Sequence, residues 1–198
     1  MANYAADRKF SDYVHENLAL KLIYEPLSWR PINLEQRLAQ HLDMSKGIDY
    51  CFTDINHDLI TVQERFREQK YWRYNDITLR YRRDQNSNAL NVKSEFYKIE
   101  ADYMVYGVVN ASKFNHELAS KFVKFAVIDM KALMFAFEKK LIAVKRVHTN
   151  QCFIENGVLV CPVNYNRDGS SSFVPVDLKL LLQCNIAAKI ILYQQGYI

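Results

Sequence analysis

Two neighbouring stretches constrain this chain most. They are Gly47-Ile48-Asp49-Tyr50 and, after a polar gap, Leu59-Ile60-Thr61-Val62-Gln63-Glu64-Arg65-Phe66-Arg67. The second alternates: Ile60, Val62 and Glu64 point one way and Thr61, Gln63 and Arg65 the other, which predicts a strand. The gap holds Asp54, Asn56, His57 and Asp58, so the two stretches predict a hairpin. If the strands pair, Asp49, Gln63 and Arg65 meet at one edge of the sheet. An acid, an oxygen ligand and a cation so placed suit a divalent metal and a phosphodiester.

The rest of the chain supplies helices and strands around that hairpin. Residues 4–24 predict one amphipathic helix whose stripe is Phe10, Val14, Leu18 and Leu22, with Asp7 on the same side one turn earlier. An acid there either finds a partner or a metal, or sits in a first turn where the helix dipole favours it. Asn33 is expected to cap a second helix with Leu34, Leu38 and Leu42 as its apolar face and Glu35 at the edge of that face. Strands are predicted over 75–83, 101–109, 125–130 and 173–176, and a hairpin over 152–163 turned at Asn156-Gly157. Residues 93–99 read as a short helix or as irregular chain, and a further short helix starts at Phe114. Helices are predicted over 131–141 and from Asp177 through Ile186, followed by an apolar tail. At helical spacing Ile186, Ile190 and Tyr193 share a face, which closes either the monomer's core or a symmetric dimer. The expectation is one α/β domain over residues 1–198, a central mixed β-sheet flanked by helices, elaborated from about residue 111 onward.

Composition narrows the function classes. At 49% apolar and 24% charged the chain reads as globular rather than disordered. No apolar run reaches membrane-spanning length, and Asp7, Arg8 and Lys9 interrupt the start of any signal peptide. Cys51, Cys152, Cys161 and Cys184 form no CxxC pair, which suits reduced thiols in an intracellular protein. The net charge of +4 is mild, but its distribution is uneven. Arg65, Arg67, Lys70, Arg73, Arg80, Arg82 and Arg83 stand against three acids, with Tyr71, Trp72, Tyr74 and Tyr81 interleaved. That stretch reads either as a nucleic-acid footprint or as a solvated hairpin with arginine stems laid over aromatics. The five histidines are scattered, and only His57 falls between the two key strands.

Gly-Ile-Asp49, followed fourteen residues later by Gln63-Glu64-Arg65 after an apolar lead-in, resembles the PD-(D/E)XK nuclease superfamily of restriction enzymes and archaeal Holliday junction resolvases. The resemblance covers about the first half of the chain. It implies a restriction-endonuclease-like fold and Mg2+- or Mn2+-dependent hydrolysis of DNA, including branched DNA, by a homodimer. Small nucleases of this kind are often carried by viruses and mobile elements, so the resemblance implies an intracellular protein, the cytoplasm of an infected host cell included. It further implies that Asp49 and Gln63 hold the metal, with the carboxylate of Asp7 or Glu35 in support. Arg65 stands where the family has lysine, and Glu64 is adjacent. Arg67, Lys70, Arg73, Arg80, Arg82 and Arg83 would meet DNA. Gln63 replaces the motif's acid and brings no charge to the metal, while Arg65 stays protonated and cannot act as a base. Two alternatives follow: a DNA-binding protein on the same fold without catalysis, and a structural or protein-interaction domain.

Overall fold

The computed structural model describes residues 2–82, 94–166 and 171–198. In chain order the strands are β1 (Arg30–Pro31), β2 (Tyr50–Thr53), β3 (Leu59–Arg67), β4 (Asp76–Arg82), β5 (Tyr103–Val109) and β6 (Phe122–Asp129). They continue as β7 (Ile142–Lys145), β8 (Phe153–Glu155), β9 (Val158–Pro162), β10 (Asn164–Tyr165), β11 (Ser172–Asp177) and β12 (Ile191–Gln195). The α-helices are α1 (Ala2–Val14), α2 (Gln36–Lys46), α3 (Glu95–Lys98), α4 (Met130–Glu138), α5 (Leu178–Gln183) and α6 (Ala187–Ile190).

A mixed sheet of six strands in the order β1-β2-β3-β5-β6-β12 forms the centre, so the molecule is α/β. Its first three strands are an antiparallel meander, β5 joins β3 in parallel, and β6 and β12 pair antiparallel. Alternation along β5 and β6 sorts the two faces. Val105, Val109, Phe125 and Val127 face one core with Phe10, Val14 and Phe66. Met104, Tyr106, Ala126 and Ile128 face the other, closed by Ile77, Leu79, Leu133, Val174 and Leu181. Both faces are covered, which is why β5 reads as a nearly unbroken apolar run. In its middle Gly107 is required, because a Cβ there would stand 2.6 Å from the Phe122 ring.

Several expectations are corrected. β4 forms where expected, but it pairs with β11 in a separate three-stranded sheet, β10-β11-β4, laid on the second core. The expected cap at Asn33 is not made; α2 starts at Gln36 after Glu35, which makes no side-chain cap bond. No α2 residue is buried and Leu38 is 47% exposed, so this helix covers the sheet edge only through the half-buried Leu42 and the preceding Leu34. The helix after Asp177 stops at Gln183, although Asp177 does cap it through the Lys179 and Leu180 N–H groups. The tail does not carry the expected helical face past Ile190: it becomes β12 and pairs with the outer edge of β6, while Ile190 and Tyr197 enter the monomer's own core. An edge strand left open on β6 would expose a row of unpaired backbone groups, and β12 satisfies them. The turn at Asn156-Gly157 forms as expected, both residues at positive φ.

The largest departure is in the first helix. From His15 to Tyr24 it runs as a π-helix, closed by the Glu25 N–H bonding to the Leu20 carbonyl five residues back at 2.9 Å. A π register advances its face more slowly than an α register. The apolar stripe therefore drifts: Leu22 is 37% exposed, and Ile23 and Tyr24 take its place in the core.

Candidate active site

The corner where β2 begins against β3 is set by one carboxylate. The chain leaves α2 through Gly47, whose left-handed φ of 64° ends the helix, and Ile48 anchors it in a small apolar cluster. The Asp49 N–H then donates to the Val62 carbonyl at 2.9 Å, opening the ladder. Asp49 Oδ2 accepts the Glu64 N–H at 2.7 Å, closing the end of that ladder with a side chain.

Glu64, on the face of β3 turned toward the first helix, is almost fully enclosed, its side chain 3% exposed. Its Oε1 takes two contacts from that helix. His15 Nδ1 lies 2.8 Å away, and the Tyr24 hydroxyl makes a short hydrogen bond to the same atom. Glu64 Oε2 is buried with no hydrogen-bond partner among the described residues, and so is Gln63 Oε1. Leaving such acceptors unpaired costs about 1–3 kcal/mol each, more for a charged group. These two acceptors are therefore short of donors.

The electrostatics agree. Burial pushes the Asp49 carboxyl up to about 7, the Glu64 N–H works against that, and the nearby Asp43 and Glu64 charges add to the rise. Burial and the Glu64 charge also hold the Tyr24 and Tyr50 hydroxyls in their neutral form, well above the usual tyrosine range. A cavity of about 650 Å³ opens here, walled by Asp49, Gln63, Glu64 and Arg65 together with Asp43 and Asp12. A neighbouring cavity of about 480 Å³ shares Asp7, Ser11, Glu64, Arg65 and Arg80 with it.

The hairpin thus brings Asp49, Gln63, Glu64 and Arg65 to one cavity. Arg65 reaches across to β4 and donates to the Thr78 carbonyl at 2.7 Å, so it joins the two sheets as well as lining the site. Of the two acids proposed to complete the site, Asp7 stands in the cavity wall but is exposed and pairs with Lys113 at 2.6 Å. Glu35 lies at the other end of α2, a helix length of about 16 Å from the corner. His57 is exposed in the turn at the far end of the hairpin. Among the described residues no group of three or more His, Cys, Asp and Glu side chains stands together in a metal-binding cluster.

The basic stretch does not form one surface. Arg67 turns inward, bonded to Thr78 Oγ1 at 2.6 Å, with its guanidinium 4.7 Å from the Tyr71 ring centre. Lys70 pairs with Glu68 at 2.5 Å, and Arg73 lies over Trp72. Thr78, Arg80 and Arg82 share one face of β4, opposite the buried Ile77 and Leu79, and Arg80 is exposed at the rim of both cavities. Arg83 lies outside the described residues.

Sequence reasoning did not place His15, Tyr24, Tyr50, Asp12 and Asp43 here. Asp43 carries a signal, one turn before Gly47. His15 and Tyr24 carry none, because in an α-helix nine residues make two and a half turns and set them on opposite faces. No family model matches this chain, and no curated protein or solved structure matches it either.

Proposed function

We propose that this chain is a divalent-metal-dependent deoxyribonuclease, built as a restriction-endonuclease-like domain and acting on branched or structured DNA. The observation that carries the reading is the cavity walled by Asp49, Gln63 and Glu64, where Gln63 Oε1 and Glu64 Oε2 are buried without a hydrogen-bond partner among the described residues and the Asp49 carboxyl is raised to about 7. Buried oxygens left without donors beside an acid are what a hard cation relieves. The topology supports the same reading: an antiparallel meander, an acid opening its second strand, the Gln-Glu-Arg segment in its third, and the next central strand parallel to the third.

Two carboxylates at the cavity, Asp49 and Glu64, would hold such a cation, with the Gln63 amide lining the same cavity from the opposite face of β3; this differs from the expected set by exchanging Asp7 and Glu35 for Glu64. When bound, Mg2+ or Mn2+ supplies Lewis-acid polarisation of the phosphate and makes water easier to deprotonate. The chain does the rest. Asp49 and Glu64 bring the negative charge that attracts the cation. The Glu64 N–H fixes the Asp49 carboxylate by holding Oδ2. Arg65 and Arg80, at the cavity wall, offset charge on a phosphodiester, and Arg65 is held in place by Thr78. Neither arginine moves a proton, because both stay charged.

The test is cleavage of supercoiled plasmid and of a four-way junction with Mg2+, Mn2+ or EDTA. Cleavage that needs the metal and disappears in Asp49→Asn is the expected result; absence of cleavage with any divalent metal rejects catalysis. One feature favours the binding-only alternative: the position of the usual lysine is an arginine already tied to a carbonyl. Salt-sensitive DNA binding without cleavage would select it, and absence of both would select the interaction domain. Paired cutting of a junction would take two copies of the chain, joined through a surface other than the Ile190 face that the monomer buries.

A further inference from the structure

We infer that His15 is a positioning residue: it engages Glu64 Oε1 so that Oε2 is left free for a divalent cation in the Asp49 corner. This rests on the reading of that corner as a metal site. Four observations lead to it.

The contact joins residues 49 apart in sequence, and it is well defined. His15 Nδ1 stands 2.8 Å from Glu64 Oε1, and with the carboxylate ionised the ring nitrogen is the donor. The ring plane is set independently. His15 stacks on Tyr50 with 3.7 Å between ring centres and 3° between planes, so the plane in which its nitrogen donates is fixed. Tyr50 follows Asp49 directly, so the residue that orients His15 is part of the same corner.

Both donors go to the same oxygen. Tyr24 and His15 meet at Oε1, while Oε2 of the same carboxylate has no partner among the described residues. A carboxylate held only for structural reasons would gain by spreading two donors over two oxygens. Here one oxygen is anchored twice and the other is left buried without a donor, on a residue that lines the Asp49 cavity.

The backbone has been altered to make this possible. His15 is the first and Tyr24 the last residue of the π-helix. Nine residues of an α-helix make two and a half turns and separate the two side chains to opposite faces. With i→i+5 bonding, nine residues make about two turns, and both side chains arrive on the face toward β3. Ten residues of the rarer helix are thus coupled to a two-point grip on one carboxylate. Partners of this kind behind a ligand affect how tightly a metal is held, although they never touch it.

The experiment measures Mn2+ binding to the folded protein without DNA, by titration calorimetry and by the loss of the free Mn2+ electron-resonance signal. His15→Phe keeps a ring for the Tyr50 stack and removes the donor; His15→Asn returns an N–H near the Nδ1 position. Circular dichroism confirms that each is folded. The expected result is Mn2+ affinity about tenfold weaker in His15→Phe and within about threefold of native in His15→Asn. Native-like affinity in His15→Phe overturns the inference. So does an equal loss in both variants, which would assign the effect to packing of the imidazole rather than to its N–H. If His15→Phe does not fold, Tyr24→Phe removes the second donor while keeping the ring. A several-fold loss is expected there, and native affinity overturns the inference. Failure of the proposed function shows differently: the native protein itself would bind no Mn2+, and the positioning role would fall with it.

Discussion

Two aspartates tie β3 to its neighbours, one on each side, and their environments are opposite. Asp102, just before β5, accepts from the Thr61 N–H at 2.9 Å and the Thr61 hydroxyl at 2.7 Å, and pairs with Lys131 at 2.6 Å. Burial pushes its carboxyl up, but Lys131 and Thr61 together outweigh that and hold it below the usual carboxylate range. Asp49 has one backbone donor, the acids Asp43 and Glu64 nearby, and a carboxyl raised to about 7. Both residues pin a strand end. Asp102 has what an ionised carboxylate needs; Asp49 does not. Sequence alone presents two aspartates at strand starts. Their surroundings separate a structural clamp from an acid with capacity to spare.

The largest effect that separates them is on cleavage. Asp49→Asn keeps an oxygen to accept the Glu64 N–H and removes the charge, so metal-dependent cleavage should fall at least about 100-fold with the fold intact. Asp102→Asn should leave cleavage within a few-fold of native. Matched time courses on one plasmid read both, and equal losses would break the comparison.

Next in size is the pH dependence of metal binding. Below pH 7 Asp49 carries a proton that a cation must displace, so Mn2+ affinity should rise by up to about tenfold per unit from pH 5 to 7 and level off above. Calorimetry at several pH values checks this. In Asp102→Asn the same profile should persist, because Asp102 does not line the cavity and its partners are Thr61 and Lys131.

Stability without metal sharpens the contrast through opposite signs. For Asp49 the folded carboxyl binds its proton more tightly than the unfolded one, so between about pH 4 and 7 the native state holds more protons. Stability then falls as pH rises through that window, and Asp49→Asn should remove the loss, gaining roughly 1–2 kcal/mol at pH 8 after allowance for solvent screening. For Asp102 the folded pKa is depressed, so its contribution is present above the unfolded value and is lost as pH falls through the folded one. Asp102→Ala should cost about 1–3 kcal/mol at pH 7 and less in acid. Urea unfolding at pH 4 and pH 8 reads both signs.

The smallest effect concerns DNA binding. Arg80→Ala removes an exposed cation at the rim of both cavities. The slope of log affinity against log salt should drop by about one unit, equally for unrelated DNA sequences. Arg73→Ala, whose side chain lies over Trp72 away from the cavities, should leave that slope unchanged.

Much of the local structure was legible because it rests on local physics. Period-two alternation marks β3, the Gly47-Ile48-Asp49 run marks the start of β2, and Asn156-Gly157 marks a tight turn because both residues tolerate positive φ. The unbroken apolar run of β5 identifies a central strand, and Asp177 identifies a helix start. Asp49, Gln63, Glu64 and Arg65 come together because one hairpin carries them all.

What only the tertiary structure decided involves partners distant in sequence or a choice of backbone register. The spacing of Phe10, Val14, Leu18 and Leu22 suits an α-helix, yet the pull of the core on Ile23 and Tyr24, and of Glu64 on His15 and Tyr24, selects a π register that puts Leu22 in solvent. The tail reads as helical until β6 offers an unpaired edge, which makes it a strand. Glu35 is close to Asp49 in sequence, but α2 runs so that Asp43 reaches the corner instead. In each case a local preference worth a fraction of a kcal/mol per residue yields to burial and pairing worth several.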